Sequence, residues 1–183
     1  MTSMLRWRAM QASDLEAVAA IERIVHPQFA PEGVPILGER QRLWPAGCSV
    51  LEASGRVVGY LVGYPWLADA PPALGSELGR LPAAPTSYYI HDLALLPEAR
   101  GAGLAASAVV AAIDTAGALN LPELSLVAVH SSAAFWQRFG FEVQDVPTLT
   151  AKLASFGTDA RYMVRRSTDV GGPLRPGALP ARR

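Results

Sequence analysis

Leu5, Trp7 and Ala9 alternate with Arg6 and Arg8, the period-two pattern of a strand with one buried face. Ser13-Asp14-Leu15-Glu16 follows with capping-box spacing, in which the serine side chain accepts from the amide three residues on and the glutamate reaches back. Leu15, Val18, Ala19, Glu22 and Val25 fall near one helical face. His26-Pro27 ends that helix, because proline lacks the amide and restricts its predecessor. From Pro27 to Pro45 the chain is irregular, with a short second helix predicted over Ile36 to Leu43. Two apolar runs, Cys48 to Ala53 and Val57 to Tyr64, joined by Ser54-Gly55-Arg56, read as a hairpin.

Pro65 to Pro85 is rich in Pro and Ala, with only a short helix predicted around Leu74 to Leu81. Loops of this length in small domains are commonly lids or binding loops. Ser87 to Leu96 is a strand ended by Pro97, on which Tyr89, His91, Leu93 and Leu95 are expected on one face and Ile90, Asp92 and Ala94 on the other. An Ala-rich helix is predicted over Gly101 to Leu119, then a strand over Leu124 to Val129. Ser131 or Ser132 can cap a helix running to Phe139, with Gly140 placed for positive φ at its end. Phe141 to Val143 and Arg161 to Val164 read as the last strands. Ser167 to Arg183, rich in Gly and Pro, is predicted to be mobile and outside the fold.

The length of 183 residues fits one domain, assigned to residues 1–166 with a tail of 167–183. Sixteen Lys+Arg balance sixteen Asp+Glu, so no general attraction for nucleic acid or an acidic membrane is expected. The lone Cys48 cannot form an internal disulfide and leaves no cysteine cluster for zinc, which points to a reducing compartment, a cytoplasmic location and no metal site. Arg6 and Arg8 interrupt the first apolar stretch and no run approaches the ~18 apolar residues of a membrane span, so neither export nor anchoring is expected.

The informative stretch is Leu93-Ala94-Leu95-Leu96-Pro97-Glu98-Ala99-Arg100-Gly101-Ala102-Gly103-Leu104-Ala105. A strand ends, a turn of small residues exposes consecutive amides, and a helix begins with its positive dipole end at the same spot, a geometry suited to pyrophosphate. Gly101 and Gly103 let phosphates approach the backbone, and Arg100 can add a charged donor at the rim. A P-loop is a poor fit, because no Gly-Lys-Ser/Thr follows. A dinucleotide fingerprint is equally poor, because Ala106 stands where the final glycine belongs.

Arg100-Gly101-Ala102-Gly103-Leu104-Ala105 resembles the acetyl-CoA motif Arg/Gln-x-x-Gly-x-Gly/Ala of the GNAT (Gcn5-related N-acetyltransferase) superfamily. Phe135-Trp136-Gln137-Arg138-Phe139-Gly140-Phe141 resembles that family's Phe-Tyr-x-x-x-Gly-Phe signature. The resemblance spans roughly residues 4 to 166 and is strongest from Ile90 to Phe141. It implies an α/β (α+β) fold: a mixed, mainly antiparallel sheet of about six to seven strands with splayed central strands, flanked by about four helices. It further implies acetyl-CoA as cosubstrate, its pantetheine arm bonded by the backbone of Leu93, Ala94 and Leu95, its pyrophosphate on Arg100 to Ala105, and further contacts from Ser132 and Phe135. Homodimers are frequent in the family.

Trp136 departs from the pattern, since the family commonly places a tyrosine there as general acid and indole cannot supply a readily exchangeable proton. Such transfer is typically worth ~10²–10⁴ in rate. Water, Ser131 or Ser132 could protonate the thiolate, while Trp136 packs beside Phe135. His91 is the candidate general base, at the position where arylalkylamine N-acetyltransferases of this family carry a histidine, and its unperturbed pKa near ~6.5 suits proton removal from an amine. Asp92 is the alternative. His130 is expected to face solvent, and Glu22 and Glu32 lie where the family forms its acceptor pocket. The implied activity is acetyl transfer to a primary amine, on a small molecule or a peptide, by direct attack in a ternary complex. The alternative is a catalytically weak or inactive acyl-CoA-binding sensor of the same fold.

Overall fold

The structure, a computed structural model, describes residues 5–167. The strands are β1 (Leu5–Ala9), β2 (Cys48–Ala53), β3 (Arg56–Trp66), β4 (Ser87–Leu95), β5 (Glu123–Ala128), β6 (Glu142–Val143) and β7 (Arg161–Arg166). They form one sheet in the order β1-β2-β3-β4-β5-β7-β6, antiparallel except between β4 and β5. Helices α1 (Leu15–Val25) and α2 (Gly33–Leu43) cover one face, over a core that includes Val18, Leu37, Val50, Tyr60 and Tyr89. Helices α3 (Leu104–Ala118) and α4 (Ala133–Gln137) cover the other, around Val109, Leu124, Leu126 and Phe141. Buried Ala108, Ala112 and Ala116 recur every fourth residue, so α3 presents a small-residue stripe that lies close to the sheet. A fifth helix, α5 (Thr150–Ala154), was not expected from the sequence.

Ser54 and Gly55 both have positive φ, 50° and 83°, which matches the strand twist in the two-residue turn between Ala53 and Arg56. The capping box lies elsewhere than predicted. Ser13 sits inside a short 3-10 turn, and Asp14 accepts from the Gln11 amide at 2.8 Å and from two Arg8 nitrogens, since a carboxylate held by an arginine outcompetes a serine hydroxyl. Residues 74–81 form turns with no helix. Their polar backbone is tied to α2 instead: Glu39 accepts from the amides of Leu78 and Gly79, and Arg40 donates to Ser76 O. Helix α3 begins at Leu104 rather than Gly101, because Gly101 and Gly103 are both left-handed. Ser167 belongs to the fold, its amide and hydroxyl donating to Pro122 O and Leu121 O. The rest of the predicted tail lies outside the described residues.

Two irregularities at the centre of the sheet shape the site. First, β4 and β5 pair only at Tyr88 with Leu124 and Tyr89 with Ser125; beyond that they splay. Second, Val62 faces Asp92 across the β3–β4 ladder while Gly63 faces Ile90, so His91 is an inserted bulge residue. A bulge resets the two-residue alternation. Tyr89 and Ala94 therefore share the core under α1 and α2, although their spacing is odd. The predicted separation of His91 and Asp92 onto opposite faces is thus incorrect, and both open into one cleft.

Candidate active site

The splay between β4 and β5 opens into a cleft of about 1050 Å³, large enough for a cofactor arm and an acceptor together. Every residue singled out from the sequence for catalysis or cofactor contact lines it except Ala102 and Ser131: His91 to Leu95 from β4, Arg100, Gly101 and Gly103 to Ala105 from the turn, and Ser132, Phe135 and Trp136 from the α4 end.

At one end of the cleft lies the glycine turn. Gly101 and Gly103 have φ of 87° and 75°, and a Cβ added at either would meet no protein atom within 4 Å. The glycines are therefore required by backbone conformation, and the space they leave faces outward. The opening amides of α3 have no intrahelical acceptor and carry the positive end of the dipole toward that space, so the residues present fit a pyrophosphate. Arg100 Nε donates to Leu95 O at 3.0 Å, which braces the turn against the strand end. Trp136 is 8% exposed and packs edge-on against Phe135 and Phe141, forming a wall. Ser132 precedes α4 without a side-chain capping bond.

Farther along, two polar chains descend from β4. In the first, His91 Nε2 meets Glu32 Oε2 at 2.6 Å and Nδ1 meets the Tyr64 hydroxyl at 3.2 Å. Glu32 also accepts from the Gly75 amide, which couples His91 to the proline-rich loop. Burial alone would raise the Glu32 carboxyl, but His91, the Gly75 amide and Arg40 together more than offset it and hold it at about 2. In the second chain, Asp92 accepts from the Tyr60 hydroxyl at 2.5 Å and faces His26 Nε2 at 3.0 Å. Burial pushes the His26 imidazole down, and the bond and charge of Asp92, aided by Glu22 and Glu32, push it up further, so the net direction is upward. The Tyr60 hydroxyl is raised well above its ordinary value, by burial first and by Asp92 second. His130 is exposed as predicted, yet its Nε2 lies 3.0 Å from His26 Nδ1.

Glu22 is structural: its carboxylate accepts from the Glu32 and Gly33 amides at the start of α2. Cys48 is 2% exposed, and burial lifts its thiol to about 12, which removes it as a nucleophile. His26 was not singled out by sequence reasoning, and the aromatic Tyr60 reads from the sequence as core or as an acceptor-pocket wall. His26 read only as a helix terminus, and nothing in the spacing of either residue marks the contact with Asp92. Among the described residues no group of three His, Cys, Asp or Glu could hold a metal ion, and no helix is long and apolar enough to cross a membrane.

A sequence profile of the Acetyltransferase (GNAT) family matches residues 15–141, a span that runs from α1 through the glycine turn to Phe141. The chain belongs to the GNAT acetyltransferase family. Membership places this GNAT protein among acyl-CoA-dependent acyltransferases. No curated protein sequence matches it. Solved structures share its fold at low identity. The loading GNATL domain of CurA from Lyngbya majuscula superposes with a TM-score of 0.74 at 12% identity, over 89% of this chain and 98% of that one. Ard1 from Thermoplasma volcanium gives 0.66 at 19%, over 88% and 97%. Arabidopsis thaliana Naa50, in complex with the bisubstrate analogue CoA-Ac-MVNAL, gives 0.63 at 14%, over 87% and 96%.

Proposed function

We propose that this GNAT protein transfers the acetyl group of acetyl-CoA to a primary amine by direct attack in a ternary complex. The observation that carries the reading is that one continuous cleft joins the glycine turn to Asp92, so a thioester lying along splayed β4 would present its carbonyl beside a carboxylate. Gly101, Gly103 and the opening amides of α3 would hold the pyrophosphate, and the backbone of Leu93 to Leu95, unpaired with β5, would bond the pantetheine arm and polarise the carbonyl. Positioning of the two reactants supplies much of the rate.

Asp92 is the proposed proton acceptor in preference to His91. An imidazole has two nitrogens, and both of those of His91 are engaged. A carboxylate offers about four acceptor sites, so Asp92 retains capacity beyond Tyr60 and His26, and its side chain is 19% exposed against 8% for His91. His91, with Glu32, then acts as a positioning group that ties the 70s loop to β4. The wall of Phe29, Leu74 and Phe156 supports an amine with an apolar body, whether a small molecule or a peptide N-terminus. Trp136 leaves protonation of the thiolate to water or a serine.

The test is unfolding with and without acetyl-CoA, followed by thiol release with a panel of primary amines. An upward shift and release with an apolar amine are expected. A shift without release from any amine would favour the acyl-CoA sensor that Trp136 suggests, and Trp136→Tyr would then restore turnover. Absence of any shift in the folded protein would overturn the reading.

A further inference from the structure

The chain that begins at Asp92 does not stop at His26. The His26 and His130 planes lie within 16° of each other with centroids 5.3 Å apart. That separation is too wide for a face-to-face stack, and with Nδ1 to Nε2 at 3.0 Å it describes two rings meeting edge to edge, the arrangement of an in-plane N–H···N hydrogen bond. One end of this row is the cleft carboxylate, the other an exposed ring whose Nε2 and Nδ1 also lie 2.6 and 2.9 Å from the Gln28 side-chain nitrogen.

His130 is held in that orientation under strain. His130 and Ser131 are consecutive non-glycine residues with φ of 53° and 56°, a left-handed backbone that L-residues adopt only at an energetic cost. Asp159 secures the turn by accepting from the Ser131 amide at 2.7 Å and from its hydroxyl at 3.3 Å. Packing against Phe29 fixes both imidazoles from the side. Strain of this kind persists where the geometry it enforces is used.

We propose that Asp92, His26 and His130 form a path that carries the proton released by the acceptor amine out of the cleft to solvent. The proposal rests on the acetyltransferase reading, in which an ammonium ion loses two protons on becoming an amide: one replaces the acetyl group on the CoA sulfur, and one must leave. As the C–N bond forms and the C–S bond breaks, Asp92 takes the departing proton from nitrogen, and its neutral carboxyl no longer accepts from Nε2–H of His26; neutral His26 then shifts by proton exchange with water to its Nδ1–H tautomer, which frees Nε2 to accept the Asp92 proton. His26 releases its Nδ1 proton to Nε2 of His130, and His130 releases one to water; exchange with water then restores the starting tautomers. The groups facing His26 are Asp92 from β4, Glu22 from its own helix, Glu32 from the start of α2 and His130 from the turn after β5. The three carboxylates favour the protonated ring, while partial burial and the charge on His26 push His130 the other way. His26 therefore has to be neutral to accept, and turnover should rise with pH through a value above that of an ordinary histidine.

The experiment pairs kinetics with ring titration by NMR on the full chain. His130→Ala, at an exposed site, should lower turnover about tenfold or more without moving the acid limb, and free imidazole should restore most of the loss. Asp92→Asn should move the His26 titration to lower pH, and His26→Asn should move that of His130 upward. Unchanged turnover in His130→Ala, or a loss that imidazole does not restore, would overturn the path while leaving acetyl transfer intact. If the wild type acetylates none of 2-phenylethylamine, spermidine or a short peptide, the acetyltransferase reading fails for those classes and NMR alone decides the path: coupled titrations uphold the connection, independent ones overturn it.

Discussion

Gly103 and Glu32 show how single positions divide between ligand and fold. Because a side chain at Gly103 meets open space, Gly103→Asp should cost only about 1 kcal/mol for its left-handed backbone while placing a negative charge in the proposed phosphate site. The expected outcome is a folded protein whose melting point no longer responds to acetyl-CoA. Glu32 is the opposite case, a buried carboxylate joining His91 to the Gly75 amide. Its folded pKa of about 2 lies below the ordinary 4.5, so its ionisation stabilises the fold fully above pH 4.5 and progressively less as pH falls toward 2. Glu32→Gln should lower stability at neutral pH by roughly 1–3 kcal/mol, and the gap from wild type should narrow across that window in melting curves. The two glycines were legible in the sequence because positive φ restricts residue choice. The partnership of His26 with Asp92 was not, because it joins a helix end to a strand sixty-six residues away through side chains that carry no local pattern.

Most elements could be read from periodicity, and the exceptions have identifiable physical causes. Alternation located β4 correctly but misassigned its faces, since an inserted residue such as His91 shows only when the register with β3 is known. Five-residue α5 is too short for a helical repeat to declare itself. The 70s loop read as a possible helix because its ties to α2 run from the distant Glu39 and Arg40 side chains to the loop backbone. Those ties can be loosened selectively. Glu39→Gln keeps the shape but removes the charge that strengthens the bonds from the Leu78 and Gly79 amides. These two amides should then exchange with solvent at least tenfold faster, as loss of about 1.4 kcal/mol implies, and amides in β2 and β3 should accelerate less, by the shared cost of leaving buried Arg40 without the Glu39 charge. Equal acceleration throughout would mean that the loop opens only with the whole fold.

At the scale of the whole molecule, the glycine-turn end of the cleft, the proposed cofactor site, draws on both layers: β4 is packed under α1, and the turn leads into α3 on the opposite face. Ligand binding should therefore stabilise the domain as a unit. Acetyl-CoA at ~100 times its dissociation constant should add about 2.7 kcal/mol, which for a domain of this size corresponds to a rise of roughly 5–10 °C in melting temperature. That magnitude separates specific binding from a weak surface effect in a calorimetric scan. The sealed position of Cys48 in β2 offers an independent clock. With its sulfur enclosed beneath α2 and its thiol barely ionised, the native protein should resist a colour-forming disulfide reagent, and modification should occur only when the sheet parts. The labelling rate in dilute reagent would then report how often the molecule opens, and slower labelling with acetyl-CoA present would measure ligand grip without any need to know the acceptor.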